Sequence, residues 1–268
     1  MIIVNALLAA LIGAFVGKFL GFVVHYLPLI ILEGYEEGRE PRDIFRWFFS
    51  TPVCPNCQHS IEGAYNIPIL GYVLSKGRCP HCQKLIGKKS FPLELAVALL
   101  FGLTVLFFSF SPFVLFVLLI SCVLMCCFIT DLDHGILPDQ FTLTFVWIGL
   151  IGSLYPVFLT PRQSIIGAVA GYGVFWLCNE IYRFFRHRDG MYPGDFKLNA
   201  GIGACVGVKW LFIIIGISVF AMLVGSLAQF IYSNRTLHAG YLYKEIAYGC
   251  YASVVTFIVL YLMLAGFV

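Results

Sequence analysis

The chain has 268 residues, 60% of them hydrophobic and only 12% charged, with a mean hydropathy of +0.90. That balance excludes an ordinary soluble domain and points to a helical protein crossing a membrane several times. The net charge of +3 says little about partners, and the ten cysteines do not imply disulfides. Four of them form two Cys-x-x-Cys pairs, and the rest lie in or beside apolar runs, where cysteine is small core filler.

The first apolar run, Ile2 to Ile31, lacks an N-terminal basic region and a small-residue cleavage site, so it reads as a retained span. Gly13, Gly17 and Gly21 form a stripe that lets another helix approach closely. Lys18, inside the run, must snorkel or find a partner. His25-Tyr26-Leu27-Pro28 is expected to end or kink the helix.

From Glu33 to Ser90 the composition turns polar, and residues 1–32, 33–90 and 91–268 divide the chain into a first span, an insertion and a bundle. The insertion carries Cys54-Pro55-Asn56-Cys57 and Cys79-Pro80-His81-Cys82. Two such knuckles separated by 21 residues offer four thiolates to one tetrahedral ion, most plausibly a structural zinc. Four thiolates leave no open coordination position, which argues against a catalytic metal. His59 and His81 read as surface residues.

Phe91-Pro92-Leu93-Glu94 re-enters the membrane. Leu93 to Phe110 and Phe113 to Ile129 form a helical hairpin turned at Ser111-Pro112. Further spans are expected over Gln140 to Leu159, Ile165 to Phe185, Asp195 to Val208, Trp210 to Tyr232 and Ala247 to Phe267. The fold class is therefore an all-α polytopic membrane protein of about eight transmembrane helices with a small zinc-knuckle insertion.

Of the 17 Lys and Arg residues, all but Lys18, Arg162 and Lys209 fall on one side of such a bundle. The positive-inside rule makes that side cytoplasmic, with Glu62, Asp189 and Arg235 on it and both termini opposite. Reduced thiols in the cytosol fit the same orientation.

Two acidic sites stand at the edges of spans on that side. One is Thr130-Asp131-Leu132-Asp133-His134-Gly135, leading to Leu137-Pro138-Asp139. The other is Gly194-Asp195-Phe196-Lys197-Leu198. A carboxylate at the centre of a bilayer costs on the order of 3 kcal/mol, so acids this close to spans are functional candidates. Asp139 reads as a helix cap and Asp133 as part of a turn, whereas Asp131 directly continues an apolar run. Asp195 suits a cap or a catalytic acid equally well, and Gly194 leaves room where a substrate backbone could approach. Two carboxylates close together share a proton, making one the acid and the other the base.

The chain resembles the bifunctional type IV prepilin peptidases, or leader peptidase/N-methyltransferases, over nearly its whole length. The resemblance runs through Lys18-Phe19-Leu20-Gly21, Leu27-Pro28, both cysteine knuckles, Asn66-Ile67-Pro68 and Phe91-Pro92-Leu93-Glu94. It continues through Asp131, Leu137-Pro138-Asp139 and Gly194-Asp195-Phe196-Lys197-Leu198. It implies that Asp131 and Asp195 are catalytic and that the basic leader of prepilins or pseudopilins is cut after glycine on the cytoplasmic side of the bacterial inner membrane. It also implies N-methylation of the new terminus from S-adenosylmethionine; Glu94 is the residue expected to contribute if that activity persists.

The family's first glycine before the second aspartate is replaced here, the stretch reading Tyr192-Pro193-Gly194-Asp195. Gly21, Tyr26 and Phe91 stand where the family carries polar groups, which predicts weak or absent methyl transfer. The expected partners are prepilin substrates and lipid, with no nucleic acid. A presenilin-like intramembrane protease and a non-enzymatic metal-binding assembly protein are the alternatives.

Overall fold

The computed structural model describes residues 1–37, 54, 57, 59–61, 63, 67–85, 90–155, 159–235 and 248–266. Pro55, Asn56, Glu62 and Asn66 lie outside the described residues, as does most of the Ser233 to Glu245 loop. The chain folds as two compact units, Met1–Val114 and Leu115–Val268. Among the described residues the regular structure is helical, apart from isolated bridge positions such as the antiparallel pair Arg78 and Leu85. Five helices among the described residues are long and apolar enough to cross a membrane, as a multi-pass membrane protein requires.

In the first unit, α1 (Ile2–Glu37) packs antiparallel on α3 (Ser90–Phe108), with the short α2 (Leu70–Ser75) between them in sequence. The glycine stripe explains the pairing. A Cβ on Gly13 would lie 2.8 Å from the Val97 carbonyl oxygen, and one on Gly17 would lie 2.8 Å from the Glu94 Cα. The backbones can meet only because neither residue has a side chain. Helix α1 does not stop at Pro28, which lies inside it. A missing N–H frees one carbonyl, a defect that apolar spans tolerate when a neighbour or a local adjustment satisfies the group.

The second unit holds most of α4 (Pro112–His134), then α5 (Asp139–Gly152), α6 (Pro161–Arg186), α7 (Pro193–Arg235) and α8 (Tyr248–Leu264). Ser111 Oγ accepts the Val114 N–H at 3.2 Å to start α4. Thr160 and Gln163 form a reciprocal capping box at the start of α6. Helix α4 extends beyond Ile129 and carries Asp131 and Asp133 within it, so Asp133 sits in a last helical turn rather than a loop.

Helix α7 breaks at Gly207, whose φ of 76° is a conformation that glycine adopts freely. Asn199 and Gly225, on either side of the break, both meet the first turns of α8, through Tyr248 and Tyr251 respectively. Along an unbroken helix these two residues would stand about 39 Å apart, beyond the reach of two adjacent tyrosines. The chain therefore reverses near Gly207, and the sixth and seventh apolar runs are separate segments. With α7 counted as two, eight apolar helical segments are present among the described residues.

Candidate active site and metal centre

Asp131 lies in the last turns of α4 and is 5% exposed. Its Oδ2 accepts the backbone N–H of Cys250 at 2.7 Å. A hydrogen bond to an ionised group contributes about 1.5–3 kcal/mol when its partner is properly placed. Gly249 lies directly against the same carboxylate, so that an added Cβ would come 2.7 Å from Oδ2.

Asp195 is the third residue of α7 and is half-buried. It is not the residue before the helix, so the capping role is not the one it fills; its own N–H donates to the Tyr192 carbonyl at 3.0 Å. Asp131 and Asp195 lie within electrostatic reach of each other in one compact unit. The Asp195 carbonyl accepts from Asn199 Nδ2 at 2.8 Å, and Asn199 Oδ1 accepts the Tyr248 hydroxyl at 2.9 Å. The space beside Gly194, expected to admit substrate, is taken by Leu137, whose Cβ would lie 2.8 Å from a Cβ there.

Asp139 also departs from its expected role. It is the first residue of α5 and makes no side-chain cap; the residue before the helix is Pro138. Its carboxylate instead pairs with Lys197 at 2.6 Å.

The loop leading to Asp195 is held from α6. Asn179 Oδ1 accepts the N–H groups of Gly190 and Met191 at 2.9 and 3.1 Å, and its Nδ2 donates to Asp189 at 3.2 Å. A buried amide that uses both ends on one loop fixes that loop's path. Sequence reasoning missed Asn179, Asn199, Tyr248, Gly249 and Cys250. For the two asparagines the available signal was a carboxamide inside an apolar run, which seldom goes without a partner.

In the insertion, the sulfurs of Cys54, Cys57, Cys79 and Cys82 all lie within 4.8 Å of one another. The Cys54–Cys82 and Cys57–Cys79 separations are both 3.8 Å. Four sulfurs about 2.3 Å from a tetrahedral zinc stand roughly 3.8 Å apart, so the cluster has the dimensions of a zinc site. Backbone bonds from Cys54 to His59 and from Cys79 to Lys84, each 2.9 Å, close the two knuckles.

The N–H groups of Cys82 and His81 lower the Cys79 thiol to about 7. The His59 N–H acts in the same sense on Cys57, but desolvation and the neighbouring thiols push that group up to about 12. Crowded thiols that cannot all ionise together are what a divalent cation resolves. His59 and His81 are exposed and stack on each other at 4.2 Å, outside the four-cysteine cluster.

Glu94 is 7% exposed, and its Oε2 accepts the Ile69 N–H at 2.7 Å. Lys18 lies within electrostatic reach of it, which supplies the partner that a cation in an apolar helix requires. Tyr72 of α2 stacks on Phe91 at 4.2 Å beside it, while Tyr26 of α1 lies within electrostatic reach of Cys54. These contacts join the cysteine cluster, α1 and α3 in one unit.

Residues 117–233 match the model of the type IV leader peptidase family, and residues 11–108 match that of the bacterial peptidase A24 N-terminal domain. Relatives named prepilin leader peptidase/N-methyltransferase come from several bacteria. That of Neisseria gonorrhoeae is 35% identical over 182 residues, covering 68% of this chain and 64% of its own length. That of Aeromonas salmonicida is 33% identical over 207 residues, covering 73% and 71%. That of Pseudomonas aeruginosa is 31% identical over 263 residues, covering 91% and 89%. No solved structure matches the chain. The two family matches take in the cysteine cluster in one unit and both aspartates in the other, and the chain belongs to the type IV leader peptidase family.

Proposed function

We propose that this peptidase cleaves the short basic leader of type IV prepilins or pseudopilins after glycine, at the cytoplasmic face of the bacterial inner membrane. Asp131 and Asp195 are its aspartic dyad. The observation that carries the reading is the convergence of these two acids, from the end of α4 and the start of α7, within one helical unit. Water between them attacks the scissile carbonyl. One aspartate takes the water's proton while the other, protonated, donates to the carbonyl oxygen; the amine then leaves with a proton from the dyad. The basic side of the chain supports a cytoplasmic active site, beside anionic lipid headgroups.

Cys54, Cys57, Cys79 and Cys82 would hold a zinc ion whose part is to stabilise the insertion, since four thiolates leave no position for substrate. S-adenosylmethionine, the methyl donor expected for the second activity, brings a cationic sulfonium. Glu94 is a poor receptor for it, because its carboxylate already takes the Ile69 N–H and has the Lys18 ammonium for company. The residues at that position do not fit the donor.

Co-expression with a candidate prepilin, followed by mass analysis of the product, tests the peptidase reading. The expected new terminus is the residue after the leader glycine, absent when Asp131→Asn replaces the wild type. Cutting within the transmembrane helix would favour an intramembrane protease of the presenilin kind, and intact prepilin would favour a non-enzymatic metal-binding protein.

A further inference from the structure

We propose that the first turn of α8 is a clamp that sets the spacing of the two aspartates. Gly249 and Cys250 position Asp131, and Tyr248 positions Asp195 through Asn199. The inference rests on the reading of Asp131 and Asp195 as the catalytic pair.

The opening N–H groups of a helix have no partner inside it. In α8 one of these, on Cys250, donates to Asp131 Oδ2 at 2.7 Å. Gly249 permits the approach, because a Cβ there would lie 2.7 Å from that oxygen and 3.0 Å from Leu137 Cδ1. The Cys250 thiol also points to the Phe128 carbonyl at 3.4 Å, so the turn is seated on α4 at two places.

The adjacent residue reaches the main chain of the other aspartate. The Tyr248 hydroxyl donates to Asn199 at 2.9 Å, and Asn199 donates to the Asp195 carbonyl at 2.8 Å. Tyr248 is itself within electrostatic reach of Asp195. Its ring packs on Phe175 of α6 at 5.3 Å, which steadies it independently of the hydroxyl.

Consecutive residues of one helical turn thus grip the Asp131 carboxylate directly and, through Asn199, the main chain that carries Asp195. A turn of helix moves as a unit, so displacing it shifts Asp131 and the backbone of Asp195 together relative to the water the two acids must share. Misplacement of about 1 Å can cost on the order of a hundredfold in rate. These positioning residues touch neither the water nor the scissile bond, so disturbing them should lower kcat and leave KM nearly unchanged.

The test uses the full chain, zinc-loaded and reconstituted in lipid, with a peptide carrying a basic leader, a glycine and an apolar helix. Gly249→Ala, which presses on Asp131, should lower kcat by about a hundredfold. Tyr248→Phe keeps the ring and loses only the hydroxyl, and kcat should fall about tenfold, less than for direct displacement of a carboxylate. Val254→Ala, on the exposed face of α8, should behave as wild type.

Wild-type kcat in either folded variant, or a change confined to KM, overturns the clamp. If Gly249→Ala does not accumulate in the membrane, Tyr248→Phe decides alone. Asp131→Asn and Asp195→Asn are run beside them. If these are dead while the α8 variants are normal, the clamp fails and the dyad stands. If they cleave, the dyad fails and the clamp with it.

Discussion

Lys197 Nζ stands 2.6 Å from Asp139 Oδ1, an ion pair joining the fifth residue of α7 to the first residue of α5. The lysine two residues after Asp195 is thereby engaged by a carboxylate outside the proposed dyad. The two side chains are 24% and 57% exposed, and a pair so placed contributes about 0–1 kcal/mol. Asp139→Asn should therefore keep more than about half of the cleavage rate, with a small fall in thermal stability. Rates in membranes check this; a tenfold loss would give the pair a role beyond holding two helix starts together.

Asp131→Asn and Asp195→Asn should each abolish cleavage while zinc content and membrane insertion stay intact. An amide cannot exchange a proton between acid and base roles. The double variant should be no worse than either single one, since residues acting as one unit are non-additive. Asp133→Asn, in the last turn of α4, should retain activity. A dead Asp133→Asn beside a normal Asp131→Asn would transfer the role to Asp133.

Purified protein should carry about one zinc per chain, the stoichiometry of a single four-thiolate site. Cys79→Ser should release it. The Cys79 thiol is lowered to about 7 in the folded chain, so any stability its thiolate lends is present above its ordinary range and lost as pH falls through about 7. Metal retention should decline in the same direction, because protons compete with zinc for thiolates. Metal analysis across a pH series checks both statements; full retention in Cys79→Ser would show that the thiols do not bind jointly.

Single cysteines introduced at Glu62, Asp189 and Arg235 should be labelled only by reagents that reach the cytoplasm. The expectation follows from the basic residues that share their side of the chain. Labelling of any one from the periplasm would overturn the orientation.

Methylation of the mature product should be weak or absent, since Glu94 is occupied by Ile69 and faced by Lys18. Glu94→Gln should then leave the product mass unchanged. Stoichiometric addition of one methyl group by the wild type would overturn this.

The sequence by itself determined the class of the protein, because runs of about 20 apolar residues have few stable arrangements other than membrane helices. It also named the four cysteines that cluster, since short Cys-x-x-Cys spacing puts two sulfurs on one knuckle whatever surrounds it. The break between the sixth and seventh segments was legible for a similar local reason, a glycine and a lysine interrupting an apolar run.

Other roles depended on contacts between distant segments. Asp139 looks like a cap from its neighbours, yet Lys197, 58 positions away, takes its carboxylate. Gly194 looks like an opening for substrate, yet Leu137 fills it. The Cys250 N–H belongs to every sequence with a non-proline residue there, and only the approach of α8 to α4, 119 positions apart, turns it into a partner for Asp131. Local chemistry sets which groups are available, and the packing of helices decides which of them meet.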